Sequence, residues 1–406
     1  MLDQAWRSPF SRNVALVASG TAGAQAITIV FAPILTRIYG PEAFGLFGTF
    51  TAIVAVATPA AAMAYPIAIV LPRDDRDALG LAQFSAILSF AVAVLAAAAL
   101  WLAGNSLTAA LDAESVSGFF FLIPVAMLFA AGTQIAQQWL IRKKEFGVIA
   151  RSAVAHSLIL NSAKSGIGLL HPVGSVLIIL ATFGQCLYAG LLFIGARRRY
   201  QPIVTQYKND RRTPLTELAR RYHDFPLYRA PQNLINAASQ SLPILLLATF
   251  FGSATAGFYV LAKMVMGMPS ALVGNAVSDV FYPRITEAKH NGDDLTRYIA
   301  RATGALLVIG ILPFSIVFLF GPWLFSLIFG SDWVMAGQYA RWLAFFFFFN
   351  FINKPTVAAV PVLGIQRGLL VYELLSTGGK VIGFLAGFYW FSSDSGLVFN
   401  SGISRL

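Results

Sequence analysis

Long apolar runs alternate with short polar connections along the whole chain. A helix that crosses the hydrocarbon core of a bilayer needs about 20 consecutive apolar residues. By this rule the sequence predicts eleven membrane helices. They are expected at residues 14–36, 45–70, 79–103, 118–140, 148–169, 173–195, 233–251, 257–280, 299–320, 339–362 and 369–391. This pattern indicates an all-α integral membrane protein.

One long polar segment, residues 197–232, divides the predicted helices into two groups. We therefore predict an N-terminal lobe of six helices at 1–196, a basic linker at 197–232 and a C-terminal lobe at 233–406. The second lobe has five clear spans, followed by SSDSGLVFNSGISRL. A twelfth helix would begin near Ser395, so we expect the second lobe to lack it.

A short motif recurs near the start of each predicted lobe. GPEAFGLF, at residues 40–47, opens the second span, and GSATAGFY, at residues 252–259, opens the eighth. Each has two glycines at the same spacing followed by two large apolar residues, and a Pro-Arg pair lies beyond each span. The repetition predicts two pseudo-symmetric six-helix lobes with the same orientation. Many transporters have this plan, with the substrate path between the lobes.

Composition and charge support a membrane protein with one orientation. The chain is 57% hydrophobic and 12% charged, whereas soluble domains carry about 25% charged residues. If the N-terminus is cytoplasmic, 22 of the 29 Lys and Arg residues lie on the cytoplasmic side, three on the other side and four within spans. This bias predicts a cytoplasmic N-terminus. It also accounts for the net charge of +11 without a nucleic-acid partner.

Lysines within the predicted spans are the strongest candidates for a binding site. A lysine at the bilayer centre costs roughly 2.5–3.5 kcal/mol to insert. Lys263, Lys164 and Lys380 each lie on a helical stripe of small and polar residues, such as Ser157, Asn161 and Gly168 beside Lys164. Such stripes are also typical of helix packing, and Lys354 is placed to snorkel.

The excess of cations over acids within the spans predicts a cationic cavity for an anionic substrate. The clear acids within the spans are Glu373 and, near a cytoplasmic end, Asp279. Glu373 is a candidate coupling carboxylate, although it is also placed to neutralise Lys380. Pro33 and Pro269 are candidate hinges because proline removes a helix hydrogen bond. The sequence contains no motif for nucleotide binding, metal binding or nucleophilic catalysis, so we predict no catalytic residue, no metal and no cofactor.

Four segments together resemble a known family. They are SRNVALVASGTAGAQAITIVFAPILTRIYGPEAFGLFGTF (11–50), PIAIVLPRDDRDALGL (66–81), VFYPRITEAKHNGDDL (280–295) and LFGPWLFSLIFGSDWVMAGQYARWLA (319–344). They look like the Wzx-type polysaccharide-unit flippases of bacteria. These proteins belong to the multidrug/oligosaccharidyl-lipid/polysaccharide (MOP) exporter superfamily, whose members usually have two six-helix lobes.

This resemblance implies an activity, a site and a location. The implied activity is the movement of undecaprenyl-diphosphate-linked oligosaccharides from the cytoplasmic to the periplasmic leaflet of the bacterial inner membrane, by alternating access. Related lipid II flippases carry cavity arginines at two places, which match Arg37 and Lys263 here. Lys164 and Lys380 are added from the stripes. We expect a monomer that works with polysaccharide polymerase and chain-length machinery.

Two other functions fit the residues less well than the flippase does. A cation-coupled multidrug antiporter of the same superfamily typically needs a buried carboxylate in the N-terminal lobe, and the first span has no Asp or Glu. A membrane glycan polymerase or ligase would need large outer loops, and the predicted outer loops are short. The residues therefore favour a transporter of an anionic substrate.

Overall fold

The computed structural model describes residues 9–111, 117–206 and 213–363, together with residues 375, 378, 379 and 382. Within these residues the regular elements are all helical, which confirms the predicted fold class. The last predicted span, 369–391, lies almost entirely outside the described residues, as does the region of a twelfth helix.

Seven helices form the first part of the chain, and each predicted span up to residue 195 falls on one of them or on a closely spaced pair. They are α1 (Pro9–Ile38), α2 (Pro41–Ala61), α3 (Tyr65–Ala68), α4 (Asp75–Leu111), α5 (Leu122–Arg142), α6 (Phe146–Gly168) and α7 (Gly174–Gln206). Gly40 has an extended backbone and Pro41 is the first residue of α2, a position where proline costs no hydrogen bond.

The remaining elements begin within the predicted linker. They are α8 (Leu215–Arg221), a π-helical turn (Phe225–Arg229), α9 (Ala230–Asn291), α10 (Leu295–Phe329), a 3-10 turn (Ser331–Trp333), α11 (Val334–Ile352) and α12 (Lys354–Leu363). The long α9 is broken at Gly252, where φ is 84° and ψ is 169°. Glycine adopts this conformation readily because it has no Cβ. The break separates the two spans predicted at 233–251 and 257–280.

Several of these helices are suited to a bilayer. In the described part of the chain, six helices are long and apolar enough to cross a membrane, and a seventh is counted if the bent pair Ser331–Ile352 and Lys354–Val360 is one span. The chain is therefore a multi-pass membrane protein. Helices α5 and α6 are not among the six. They carry polar side chains such as Gln134, Gln138, His156 and Asn161, which lower their hydropathy.

The N-terminal helices pack around two apolar clusters. Helix α1 lies along α6, and α7 packs against α2, α5 and α6. One cluster includes Phe50, Met127 and Ile178, and the other includes Leu140 and Leu218. Leu218 belongs to α8, so the linker contributes to the core of the first group of helices.

The chain divides into two compact units. The first comprises residues 1–276 and 306–352, and the second comprises residues 277–305 and 353–406. In the second unit Ile285 and Ala359 are buried together, with Phe281, Leu295 and Ile299 against them. The lobe boundaries given above stay a prediction.

Candidate functional site

The two sequence repeats meet in a tight contact that we call the glycine seam. It consists of Pro41, Gly45 and Gly48 on α2 and Ser253, Gly257 and Val260 on α9. A Cβ atom on Gly45 would overlap the carbonyl oxygen of Ser253, and a Cβ atom on Gly257 would overlap that of Pro41. A Cβ on Gly48 would overlap the Val260 side chain. Only glycine at positions 45 and 257 allows the two backbones to lie so close.

The contacts of the glycine seam are reciprocal. Pro41 and Gly45 hold the same positions in the first repeat as Ser253 and Gly257 hold in the second. Gly45 faces Ser253, and Gly257 faces Pro41. This exchange of equivalent partners is what a local two-fold axis between the repeats requires. Small residues are typical of places where membrane helices approach closely.

Trp333 covers the end of the helices at which the glycine seam lies. Its side chain is buried, and the indole Nε1 donates a hydrogen bond of 2.9 Å to the carbonyl oxygen of Thr36, near the end of α1. The ring contacts Phe44 on α2 and Phe258 on α9 edge-on, at centroid distances of 5.1 and 6.0 Å. Trp333 therefore joins α1, α2 and α9. The sequence pattern did not single it out, although a tryptophan just after Gly330, between two spans, was an available signal.

Arg37, a predicted substrate-binding residue, lies at this end of the bundle, which we call the Arg37 end. Its side chain is exposed, and Nη2 lies 3.5 Å from the carbonyl oxygen of Leu327 in the last turn of α10. The last carbonyls of a helix lack partners within the helix and carry partial negative charge. Arg37 therefore supports the end of α10 and still reaches solvent.

Lys164 is buried within the first group of helices. Its exposed fraction is 8%, and Nζ lies 4.6 Å from the centre of the Phe47 ring on α2. Across the part of the chain that the structure describes, its ammonium group has no carboxylate partner. The hydroxyl of Tyr39 donates to the Lys164 carbonyl oxygen at 2.9 Å. Burial raises the pKa of Tyr39 above its ordinary value, so this hydroxyl stays a neutral donor.

The polar stripe on α6 packs against α1. The hydroxyl of Ser157 donates to the carbonyl oxygen of Ala24 at 2.8 Å and lies 3.2 Å from the hydroxyl of Thr28. Asn161 donates to the carbonyl oxygen of Ser157 at 2.8 Å. Much of this stripe therefore serves helix packing, which was one of the two interpretations left open by the sequence.

Lys263 lies beyond the glycine seam on α9. It is half-buried, and its Nζ donates a hydrogen bond of 2.7 Å to the carbonyl oxygen of Gln240, on the part of α9 before the break. Lys263 follows Gly257 by six positions, which is about 9 Å along a helix. Gly267 follows one turn later, and a Cβ there would lie 3.7 Å from Phe347.

The structure places the predicted site residues at separate positions. Arg37 lies at the end of α1, Lys164 inside the first group of helices and Lys263 on α9 beyond the seam. Lys380 and Glu373 lie outside the described residues. Pro33 lies within α1. Pro269 belongs to α9, whose break in helical geometry is at Gly252.

A second polar cluster lies at the opposite end, which we call the linker end. Arg142 at the end of α5 donates to Asp75 at 2.9 Å and to the carbonyl oxygen of Pro72 at 2.6 Å. It also reaches the carbonyls of Ile69, Val70 and Arg73. Lys143 forms a second ion pair with Asp75. Arg142 thus holds the turn before α4, a role that the sequence did not predict.

Helix α8 of the linker is docked at the linker end. Asp77 accepts a hydrogen bond of 2.7 Å from Thr213 and lies 3.7 Å from Arg221. The buried Leu218 packs over Gly80, and Tyr65 donates to the carbonyl oxygen of Ala219. The basic linker is thus tied to the first group of helices.

Comparisons with known proteins identify the family. The sequence model of a family described as "Polysaccharide biosynthesis protein" matches residues 34–337. The chain belongs to this family. It is also 23% identical over 400 residues to the succinoglycan biosynthesis transport protein ExoT of Rhizobium meliloti (strain 1021), a match that covers 93% of this chain and 75% of that protein.

Solved structures show the fold of this polysaccharide biosynthesis protein. An inward-facing multidrug resistance MATE family transporter of the MOP superfamily matches with a TM-score of 0.64 and 14% identity, covering 94% of this chain and 88% of that one. A MOP superfamily transporter from Pyrococcus furiosus Vc1 matches with a TM-score of 0.61 and 17% identity, covering 97% and 91%. The predicted MOP architecture is therefore confirmed.

Proposed function

We propose that this protein flips undecaprenyl-diphosphate-linked oligosaccharide units from the cytoplasmic to the periplasmic leaflet of a bacterial inner membrane. The observation that carries the proposal is the glycine seam. Alternating access requires two halves that can separate at one end and meet again. At Gly45 and Gly257 the two equivalent repeats touch through backbone atoms, without interlocking side chains. Such a contact suits repeated opening and closing.

The proposed orientation makes the Arg37 end the periplasmic side. With a cytoplasmic N-terminus, α1 ends on that side and the linker stays in the cytoplasm. The closed glycine seam then belongs to a state in which the periplasmic side is shut. In this state a lipid-linked substrate would enter from the cytoplasmic leaflet.

Cations along the path would hold the diphosphate. Lys263 donates to a neutral backbone carbonyl. A phosphate oxygen can replace this acceptor, because it carries a negative charge opposite to that of the ammonium group. Arg37 would bind the same group near the exit. Lys164, capped by Phe47, would take part after α2 moves. Lys380 completes the proposed set, and Glu373 is proposed as the coupling carboxylate.

The family supports a polysaccharide intermediate as the cargo. ExoT is named as a transport protein of succinoglycan biosynthesis, and the proposal extends a role of this kind to the present chain. A monomer, cooperating with a polymerase and chain-length machinery, is the proposed working form. The antiporter alternative is not favoured, because α1 contains no Asp or Glu.

The test is a transport assay in liposomes. Wild type, Lys263→Ala, Lys263→Arg and Arg37→Ala would be compared for translocation of a fluorescent undecaprenyl-diphosphate oligosaccharide, with the surface variant Arg297→Ala as the matched control. We expect Lys263→Arg and the control to keep activity, and both alanine variants at the proposed site to lose it. An inactive wild type would refute the flippase, whereas an active Lys263→Ala would refute the assigned site.

A further inference from the structure

Arg341 is a cation on α11, and the predicted site does not include it. The predicted span began at residue 339, which put Arg341 at its outer edge. In the structure α11 begins at Val334, so Arg341 lies about 10 Å inside the helix. An ionisable side chain at such a position is costly unless it has a partner or a function.

The guanidinium group of Arg341 is poorly satisfied. Its Nη2 donates to the carbonyl oxygen of Leu319 on α10 at 3.1 Å, and its Nε is buried without a hydrogen-bond partner in the described structure. No carboxylate pairs with it among residues 9–111, 117–206 and 213–363. An arginine offers five N–H donors, so most of its hydrogen-bonding capacity remains for another group.

Two glycines bring α10 and α11 close together beside Arg341. A Cβ atom on Gly321 would lie 2.6 Å from the carbonyl oxygen of Gly337, and 3.6 Å from the Cβ of Arg341. The backbones of α10 and α11 are therefore in contact, and the Arg341 side chain leaves from the edge of that contact. A bulky residue at position 321 would displace it.

Three large side chains close to this helix contact are exposed. Leu319 is 59% exposed, Trp323 is 61% exposed and Trp342 is 72% exposed. Tryptophan is enriched at the level of lipid headgroups, where its ring is in contact with both acyl chains and polar groups. Trp323 follows Leu319 by one helical turn on α10, and Trp342 follows Arg341 directly and packs edge-on against Phe318. The Nη2 of Arg341, which donates to the carbonyl oxygen of Leu319, therefore lies close to both exposed tryptophans in the fold.

We propose that Arg341, Trp323 and Trp342 form a binding site for the headgroup phosphate of an anionic phospholipid. The guanidinium would bind two phosphate oxygens through its two Nη groups, because arginine favours such paired contacts with phosphate. The acyl chains would lie along Leu319 and the exposed aromatic face of α11. The site is independent of the proposed transport activity.

Native mass spectrometry of the full-length protein tests this site. The protein would be incubated in detergent with phosphatidylglycerol, phosphatidylcholine or undecaprenyl diphosphate. After the detergent is removed in the mass spectrometer, the number of lipid molecules that stay bound to each protein molecule would be measured. We expect Arg341→Gln to weaken phosphatidylglycerol binding by about tenfold, the loss typical of a charge-assisted hydrogen bond. Arg341→Lys should recover part of it, and Arg297→Gln, a surface control, should match wild type.

The remaining outcomes also decide the question. Equal retention of phosphatidylglycerol by wild type and Arg341→Gln would overturn the proposal. A tenfold preference of wild type for undecaprenyl diphosphate would overturn the assignment to a phospholipid. If Arg341→Gln fails to fold, Trp342→Ala serves instead, because it keeps the guanidinium and removes one of the two tryptophans of the proposed site. We expect it to lower phosphatidylglycerol binding about threefold, and unchanged binding would count against the site.

Discussion

Gly45 and Gly257 lie backbone to backbone, since a Cβ atom on Gly257 would lie 2.9 Å from the amide nitrogen of Gly45. The two glycines occupy the same position in the two repeats, so one sequence feature forms both sides of the contact. At these two positions no side chains have to separate when the seam opens. The same closeness makes it sensitive to a single added methyl group.

Replacement of Gly45 or of Gly257 should therefore disturb the closed state. Gly45→Ala and Gly257→Ala would each force backbone atoms apart, and overpacking of this type costs about 1–3 kcal/mol. We expect a lower melting temperature and weaker transport in liposomes for both variants.

A matched control is available on α7, because a Cβ atom on Gly190 would meet no atom within 4 Å. Gly190→Ala should keep the melting temperature and the transport rate of wild type. Wild-type behaviour of Gly45→Ala and Gly257→Ala would show that the glycine seam is not tight in the membrane.

Trp333 should contribute to the same end through one hydrogen bond and its ring packing. Trp333→Phe keeps an aromatic ring beside Phe44 and Phe258 but removes the donor to Thr36. We expect a loss of about 1 kcal/mol for the phenylalanine variant and of about 3–5 kcal/mol for Trp333→Ala, measured by denaturant unfolding in detergent.

The control for this series is Trp101→Phe, because Trp101 is largely exposed. It should unfold as wild type does. Equal stability of Trp333→Ala and wild type would mean that the indole does not join α1, α2 and α9 in solution.

The sequence predicted the helices well because their apolar runs reflect the thickness of the bilayer. It predicted the repeats but not that they contact each other, since contact depends on how distant segments pack. The gap predicted between the spans at 233–251 and 257–280 begins at Gly252, where α9 is broken. Lys164 was predicted as a cavity cation, and nothing in the sequence indicated that Phe47 covers it.

Other features escaped prediction for a similar reason. The role of Arg142 depends on backbone carbonyls of a turn far earlier in the chain, and carbonyls carry no signature in the sequence. Arg341 was placed at a helix edge because the predicted span began too late. In the structure α11 begins at Val334, directly after the short 3-10 turn that ends at Trp333.

Lys164 offers a test that separates fold from function. It is buried without a carboxylate partner in the described residues, so Lys164→Met removes a costly charge and keeps the volume of the side chain. Replacement of a buried charge by an apolar group of similar size is often neutral or stabilising. We expect an unchanged or higher melting temperature together with slower translocation of the diphosphate-linked substrate.

Lys144→Met, at an exposed turn, serves as the control and should transport normally. If Lys164→Met transports at the wild-type rate, Lys164 does not bind the substrate. If it instead lowers the melting temperature, the contact of the ammonium group with Phe47 matters for stability.

The docking of α8 against the first group of helices should limit how fast a protease cleaves the linker. A protease experiment therefore tests this docking, and it also tests the orientation of the protein in the membrane. Leu218 is buried over Gly80, so Leu218→Asp should release α8 from the first group of helices. Trypsin cleaves after Arg220 and Arg221, and it does so only when the local backbone can open. We expect cleavage in the variant to be about tenfold faster than in wild type, because a buried carboxylate is strongly disfavoured.

Membrane sidedness decides where this cleavage occurs. If the linker is cytoplasmic, trypsin should cut Leu218→Asp in inverted vesicles and leave it intact in spheroplasts. Thr216→Asp serves as the matched control, because it introduces the same charge at an exposed residue of the same helix and should keep the slow cleavage of wild type. Cleavage in spheroplasts would reverse the proposed topology, and it would place the glycine seam on the cytoplasmic side.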